Sequence, residues 1–237
     1  MKRSSIIILL TVIMSMVSIK VSAHDIAVKN VDGVTIYYNW VNSNQLAVSF
    51  KGGSFQNANS YSGNVVIPES VKYEGNTYSV TEIGRAAFYN CQNLTSVSFP
   101  DGLTTIGEDA FYYCIKLNSI SIPKSVVSVR SNAFLRCSGL TSVHISDLTA
   151  WCKIKWYIDQ TEGNHRASNP LSYAHHLFLN GKEIIELTIP DGVTSIAHAF
   201  EGCSGMTSVT IPNTVTSIGD EAFYGCSGLT SVLFPAV

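Results

Sequence analysis

The stretch Pro100 to Ile122, PDGLTTIGEDAFYYCIKLNSISI, returns along the chain with a period of 23 residues. It is followed directly by PKSVVSVRSNAFLRCSGLTSVHI at 123–145, and later by PDGVTSIAHAFEGCSGMTSVTI at 190–211 and PNTVTSIGDEAFYGCSGLTSVLF at 212–234. An earlier copy ends as SVTEIGRAAFYNCQNLTSVSF at 79–99, and the copy at 190–211 is one residue short. Self-similarity at a period between about 20 and 50 residues specifies stacked units, since one unit cannot bury its own apolar face. Length alone permits one or two domains; the repeats decide for one continuous body.

Within the copy that starts at Pro100, the apolar residues are Leu103, Ile106, Ala110, Phe111, Cys114, Leu117, Ile120 and Ile122. Ile120 and Ile122 alternate with Ser121, the period of a strand with one buried face. Ala110, Phe111 and Cys114 fall three and four apart, on one face of a helical turn. Gly107 fits a bend before that turn, although Arg130 and Ala197 replace it in other copies.

The run Leu94-x-x-Val97-x-Phe99-Pro100, then Leu103-x-x-Ile106-Gly-x-x-Ala-Phe-x-x-Cys114, resembles the BspA-like leucine-rich repeat. The resemblance implies an α/β repeat solenoid. This is a right-handed stack of leucine-rich-repeat coils, rich in β-structure, with short helical turns and an N-terminal β cap. It also implies a surface or secreted protein that adheres to host proteins or to other cells, since such proteins occur on anaerobic bacteria and some parasites.

The expected organisation is a signal peptide at 1–23, a β cap at 24–67 and the solenoid at 68–237. The repeats fall at about 68–99, 100–122, 123–145, 190–211 and 212–234, with a divergent inserted coil at 146–189. Lys2 and Arg3, an apolar run and Val21-Ser22-Ala23 are the parts of a secretory leader cut after Ala23. An uncleaved N-terminal anchor is the alternative. The apolar run is too short for a comfortable membrane span, and no later stretch offers one. Removing the leader takes Lys2, Arg3 and Lys20 and no acid, so the net charge moves from −2 to −5. A mildly acidic chain without a basic block argues against nucleic acid as a partner.

In the cap, Val34 to Val41 and Gln45 to Lys51 have strand composition, and Trp40, Tyr37 and Tyr38 are expected to pack rather than bind. An insertion in the first copy around Glu74-Gly75-Asn76 predicts a hairpin.

Stacked counterparts lie about 4.8 Å apart, so like charges there repel and the ladder positions should be neutral. The outward strand residues agree: Ser96, Ser98, Ser119, Ser121, Ser142, His144, Ser208, Thr210, Ser231 and Leu233. Among them Ser121, His144 and Thr210 are candidate ligand contacts on a hydroxyl-lined face. Tolerance of stacking explains the same serines without any ligand. Five of the six cysteines occupy one repeat position, Cys91, Cys114, Cys137, Cys203 and Cys226, and only Cys152 stands apart. Their place on the buried face of the turn predicts free thiols acting as small apolar groups, with inter-coil disulfides as the alternative.

No cofactor and no metal site is expected. His165, His175, His176 and Cys152 have ligand residue types without ligand spacing, and adjacent histidines on a strand point to opposite faces. Neither a nucleophile beside a base nor a glycine-rich phosphate loop is legible, so the chain is read as non-enzymatic.

In the inserted coil, Asp147 is placed to cap a short helix through Leu148 and Trp151, and Asn180-Gly181 marks a hairpin. The insertion also holds the other candidate contacts, Trp156, Tyr157, His165 and Arg166, because aromatic and arginine side chains anchor interfaces. The expected partners are host extracellular or cell-surface proteins or glycans. A structural role in the cell envelope, without a host ligand, is the second reading. The chain stops just after a strand, and an uncovered last coil invites self-association unless a longer protein or a partner covers it.

Overall fold

The apolar alternation recurs in every copy, and each copy accordingly makes one circuit of a coil. The residues expected as a helical turn form tight turns instead, with Ala110 N donating to Gly107 O while Phe111 N reaches across to Ala133 O of the next coil. The computed structural model describes residues 24–54, 59–158 and 168–234. The leader read at 1–23, and His165 and Arg166, lie outside the described residues. No described helix is long and apolar enough to cross a membrane.

The chain opens with β1 (Ile26–Lys29), β2 (Thr35–Trp40) and β3 (Gln45–Ser49), paired antiparallel in that order. Tyr38 faces inward and is fully buried, whereas Trp40 stays half open with its ring edge-on to Tyr78 at 4.7 Å. Next come β4 (Gly63–Val66), β5 (Ser70–Tyr73) and β6 (Asn76–Ile83). β5 and β6 form the hairpin expected at the insertion, and its turn holds Glu74 at φ 48° and Gly75 at φ 84°. Two successive positive φ angles match the right-handed twist of the flanking strands.

From there the circuits follow regularly: β7 (Leu94–Ser98), β8 (Thr105–Ile106), β9 (Ser119–Ile122), β10 (Ser128–Val129) and β11 (Ser142–Ile145). In this run β8 and β10 pair on one face of the stack, and β9 and β11 pair on another. The inserted coil supplies α1 (Leu148–Cys152), β12 (Lys155–Trp156), α2 (Leu171–Ala174), β13 (Leu177–Leu179) and β14 (Lys182–Glu183). The last coils add β15 (Glu186–Thr188), β16 (Ser195–Ile196), β17 (Ser208–Thr210), β18 (Ser217–Ile218) and β19 (Ser231–Leu233).

β3, β6, β8, β10 and β12 form a parallel ladder, and β9, β11 and β13 form a second one. β4 pairs in parallel with β7. The stretch before residue 68 therefore supplies the first rung on both faces. Both ladders stop at one place. Among the described residues β12 does not pair with β16, nor β13 with β15, and the stack resumes as β15–β17–β19 and β16–β18. The expected hairpin is present, but its second strand is split, β14 returning against β13 and β15 starting the new ladder. Side chains bridge the seam: Trp151 Nε1 donates to Ala199 O at 2.8 Å, and Asn169 Nδ2 to His198 O at 2.5 Å. Asp147 caps α1 as anticipated, its carboxylate accepting from Ala150 N at 2.9 Å.

The core is a set of columns. Phe88, Phe111 and Phe134 stack at 4.8 and 5.2 Å with planes 6° and 2° apart. Phe200 and Phe223 resume the column at 5.6 Å. Gly107 is explained by close approach rather than by a bend. The left-handed backbone falls two residues later, at Asp109 (φ 55°), and on Ala86, Asn132, His198 and Glu221 in the other copies.

All six cysteines are free and buried. They do more than fill space, because Cys114, Cys137 and Cys226 each donate from Sγ to the carbonyl of a phenylalanine, Phe88, Phe111 and Phe200, at 3.0–3.1 Å. Burial pushes the thiols of Cys91, Cys137, Cys152 and Cys203 up to about 12. The folded chain therefore resists thiolate formation. Its stability is full below the ordinary thiol value of about 8.5 and declines as pH rises from there toward the folded values. Iodoacetamide at pH 8.5 is expected to leave the native thiols unlabelled and to modify six sites in denaturant, read by mass. Rapid labelling of the folded chain would reject this account.

Candidate functional site

Strand alternation sends one residue in two outward, and stacking aligns those residues into rows. On the β9–β11–β13 face, His144 stands opposite Ser121 on one side and Phe178 on the other. The His144 and Phe178 rings stack with centroids 4.9 Å apart, and His144 Nε2 lies 3.0 Å from Ser142 Oγ. Two loops raise polar groups beside this row. Asp101 follows Pro100 at the start of a copy, and Asn180 sits in the β13–β14 turn at φ 50°. Together with Ser98 and Phe99 they enclose a groove of about 360 Å³, with Ser121 and His144 on its floor. Hydroxyl, imidazole, carboxylate and amide groups beside an aromatic ring are hydrogen-bonding and stacking groups, suited to recognising a polar surface.

The structure brings together only part of the predicted set. Ser121 and His144 are neighbours. Thr210 lies across the break in the ladder, on β17, between Thr188 and Leu233. Tyr157 is exposed on the other strand face, with the Arg130 guanidinium 4.1 Å from its ring centroid. Trp156 requires correction as a ligand contact. It is only 9% exposed and packs edge-on against Trp151 at 5.0 Å. The reason is the strand period: when Tyr157 faces out, its neighbour must face the core.

The histidine pair is corrected too, since neither residue is on a strand. His175 ends α2 in a left-handed conformation, with Nδ1 2.9 Å from Gly202 O. His176 instead pairs with Glu183. Among the described residues, these histidines and Cys152 do not form a three-ligand group.

One surface was missed from the sequence. On the turn face Tyr89 and Tyr112 stack at 4.8 Å, and the Arg136 guanidinium lies 5.8 Å from the Tyr112 ring and 5.9 Å from Tyr113. Tyr173 reaches over from the inserted coil, its hydroxyl accepting from Arg136 N at 2.9 Å. Burial raises the Tyr173 hydroxyl above its usual range. The signal was available: tyrosine follows the core phenylalanine at Tyr89, Tyr112 and Tyr224.

A family model described as the BspA type leucine-rich repeat region matches residues 49–155 and 172–237 in six copies. Among solved structures, the chain is similar to a T. pallidum leucine-rich repeat protein. The two are 22% identical, with 84% of this chain and 78% of that one covered, at a TM-score of 0.52. A leucine-rich repeat protein from Bacteroides ovatus is 24% identical over 85% of this chain and 70% of its own, at a TM-score of 0.42. The pneumococcal vaccine antigen PcpA is 15% identical over 90% and 71%, at 0.36. These likenesses concern the fold alone. No curated protein matches the chain.

Proposed function

This chain belongs to the BspA-type leucine-rich-repeat family, and from that premise we propose that it is an exported, non-enzymatic binding protein of the cell surface or medium. Its partners are proteins or glycans of host or neighbouring cells. The reading rests on the groove of Ser121, His144, Asp101 and Asn180, which collects polar groups from four parts of the chain around a rigid ladder. A rigid row of donors and acceptors lowers the ordering penalty of binding, and repeated weak contacts add through multivalency.

The test is binding of the full secreted chain to immobilised extracellular-matrix proteins and to a glycan panel. Where a ligand is retained, Ser121→Ala with His144→Ala is expected to weaken it at least tenfold, or about 1.4 kcal/mol. Unchanged affinity in that double variant rejects the groove. Loss in Tyr157→Ala, or in His165→Ala with Arg166→Ala, would move the site to the inserted coil. Loss in Thr210→Ala would move it beyond the ladder break.

A structural role in the cell envelope, without a host ligand, is the second reading. Retention in the envelope fraction, with concentration-dependent self-association and no ligand at micromolar concentrations, would support that role against adhesion.

A further inference from the structure

The fourth copy departs from the others at its turn. Ala197-His198-Ala199 stands where the fifth copy has Gly219-Asp220-Glu221-Ala222, and Glu201 stands where Tyr89, Tyr112 and Tyr224 occur. Stacking puts His198 beside its counterpart Glu221 on the next coil, both in the left-handed region at φ 54° and 55°. Three potential ligand atoms therefore converge. His198 Nδ1 lies 3.6 Å from Glu201 Oε2 and 3.7 Å from Glu221 Oε2, and all three atoms lie within 4.8 Å of one another.

These separations are too long for hydrogen bonds. Both His198 Nδ1 and Glu221 Oε2 are shut off from solvent without a hydrogen-bond partner. The Glu201 side chain is 2% exposed, so the three atoms meet at the edge of the packed interior rather than on an open surface. Donor atoms about 2.1 Å from a shared tetrahedral ion lie about 3.4 Å apart, close to the two observed distances.

The surroundings are those of a supported site. Ser172 Oγ donates to Glu201 Oε1 at 3.2 Å, and the backbone of His198 is held through its carbonyl by Asn169. Such outer contacts orient ligands. His198 also lines a cleft of about 470 Å³ at the break between the ladders, which gives an ion a way in and leaves room for water as a further ligand.

We propose that His198, Glu201 and Glu221 form a divalent-cation site, with one imidazole and two carboxylates suited to a borderline ion such as Zn²⁺. The ion ties the fourth coil to the fifth beside the place where the backbone ladders are interrupted.

The test uses the full secreted chain, stripped with chelator and titrated with Zn²⁺ by calorimetry and with Co²⁺ by visible absorption. Expected are one ion per chain, a higher Tm with zinc, and cobalt bands without thiolate charge transfer. Glu221→Gln and His198→Ala are each expected to weaken binding about 100-fold, in line with the loss of a ligand or its support. Glu221 is partly exposed, so its variant serves if His198→Ala fails to fold. Absence of saturable binding at micromolar zinc overturns the proposal, as does a thiolate signature or unchanged affinity in a folded Glu221→Gln variant. An NMR titration showing His198 protonated at pH 7 with zinc present overturns it too, because the imidazolium would then hold the two carboxylates in place of an ion.

Discussion

Replacing Phe111 by alanine is expected to destabilise the chain by about 3–5 kcal/mol, the range for removing a buried phenylalanine. Phe111 is fully buried, and its ring is stacked on both sides, against Phe88 at 4.8 Å and Phe134 at 5.2 Å. In a solenoid each coil touches only its neighbours, so stability is close to a sum of nearest-neighbour terms. Removing a central ring damages two of those terms together. Phe223 sits at the far end of its column, half-buried and stacked only on Phe200 among the described rings. Phe223→Ala should therefore cost clearly less. Urea titrations followed by circular dichroism give the comparison, with the two variants in one buffer. Equal losses, or a Phe111→Ala effect below about 1.5 kcal/mol, would show that the column is not the cohesive element.

What the sequence revealed, and what it hid, follows from the same nearest-neighbour physics. Residues that face their own counterparts repeat, so the phenylalanine and cysteine columns and the serine rows were legible as a period. The first rungs were hidden because β3 and β4 pair in parallel with β6 and β7 while carrying little of the repeat's consensus. The ladder break was hidden because Leu187 and Ile189 keep the apolar alternation, although the backbone partners change there. Trp156 was misplaced because a two-residue strand has too short an alternation to fix which of Trp156 and Tyr157 faces inward. His198, Glu201 and Glu221 are separated by up to 23 residues, so only the stacking register brings them together. Their sequence trace was the shortened fourth copy and the acid in a tyrosine position, a deviation from the repeat rather than a motif.

Gly107→Ala is expected to destabilise by about 3 kcal/mol, the upper end of the range for an overpacked core. A Cβ at residue 107 would lie 2.7 Å from Gly84 C, 2.7 Å from Ile83 O and 2.8 Å from Arg85 N. All three are backbone atoms, which cannot turn aside as a side chain does. The coils must separate instead, straining the 2.8 Å hydrogen bond from Gly107 N to Ile83 O. Reduced freedom of the unfolded chain works the other way, by about 0.4–1 kcal/mol, and is too small to reverse the sign. Gly102→Ala isolates that smaller effect, because a Cβ there meets nothing within 4 Å. It should be neutral or slightly stabilising. Arg130 occupies the same repeat position in the next coil and keeps the equivalent hydrogen bond, to Ile106 O at 2.9 Å. Glycine is thus demanded by the contact between the coils of residues 84 and 107, not by the repeat position itself. Thermal and urea unfolding of the two alanine variants decide the matter. Equal stabilities would mean that adjacent coils can part without loss, contrary to a stack held by close backbone contact.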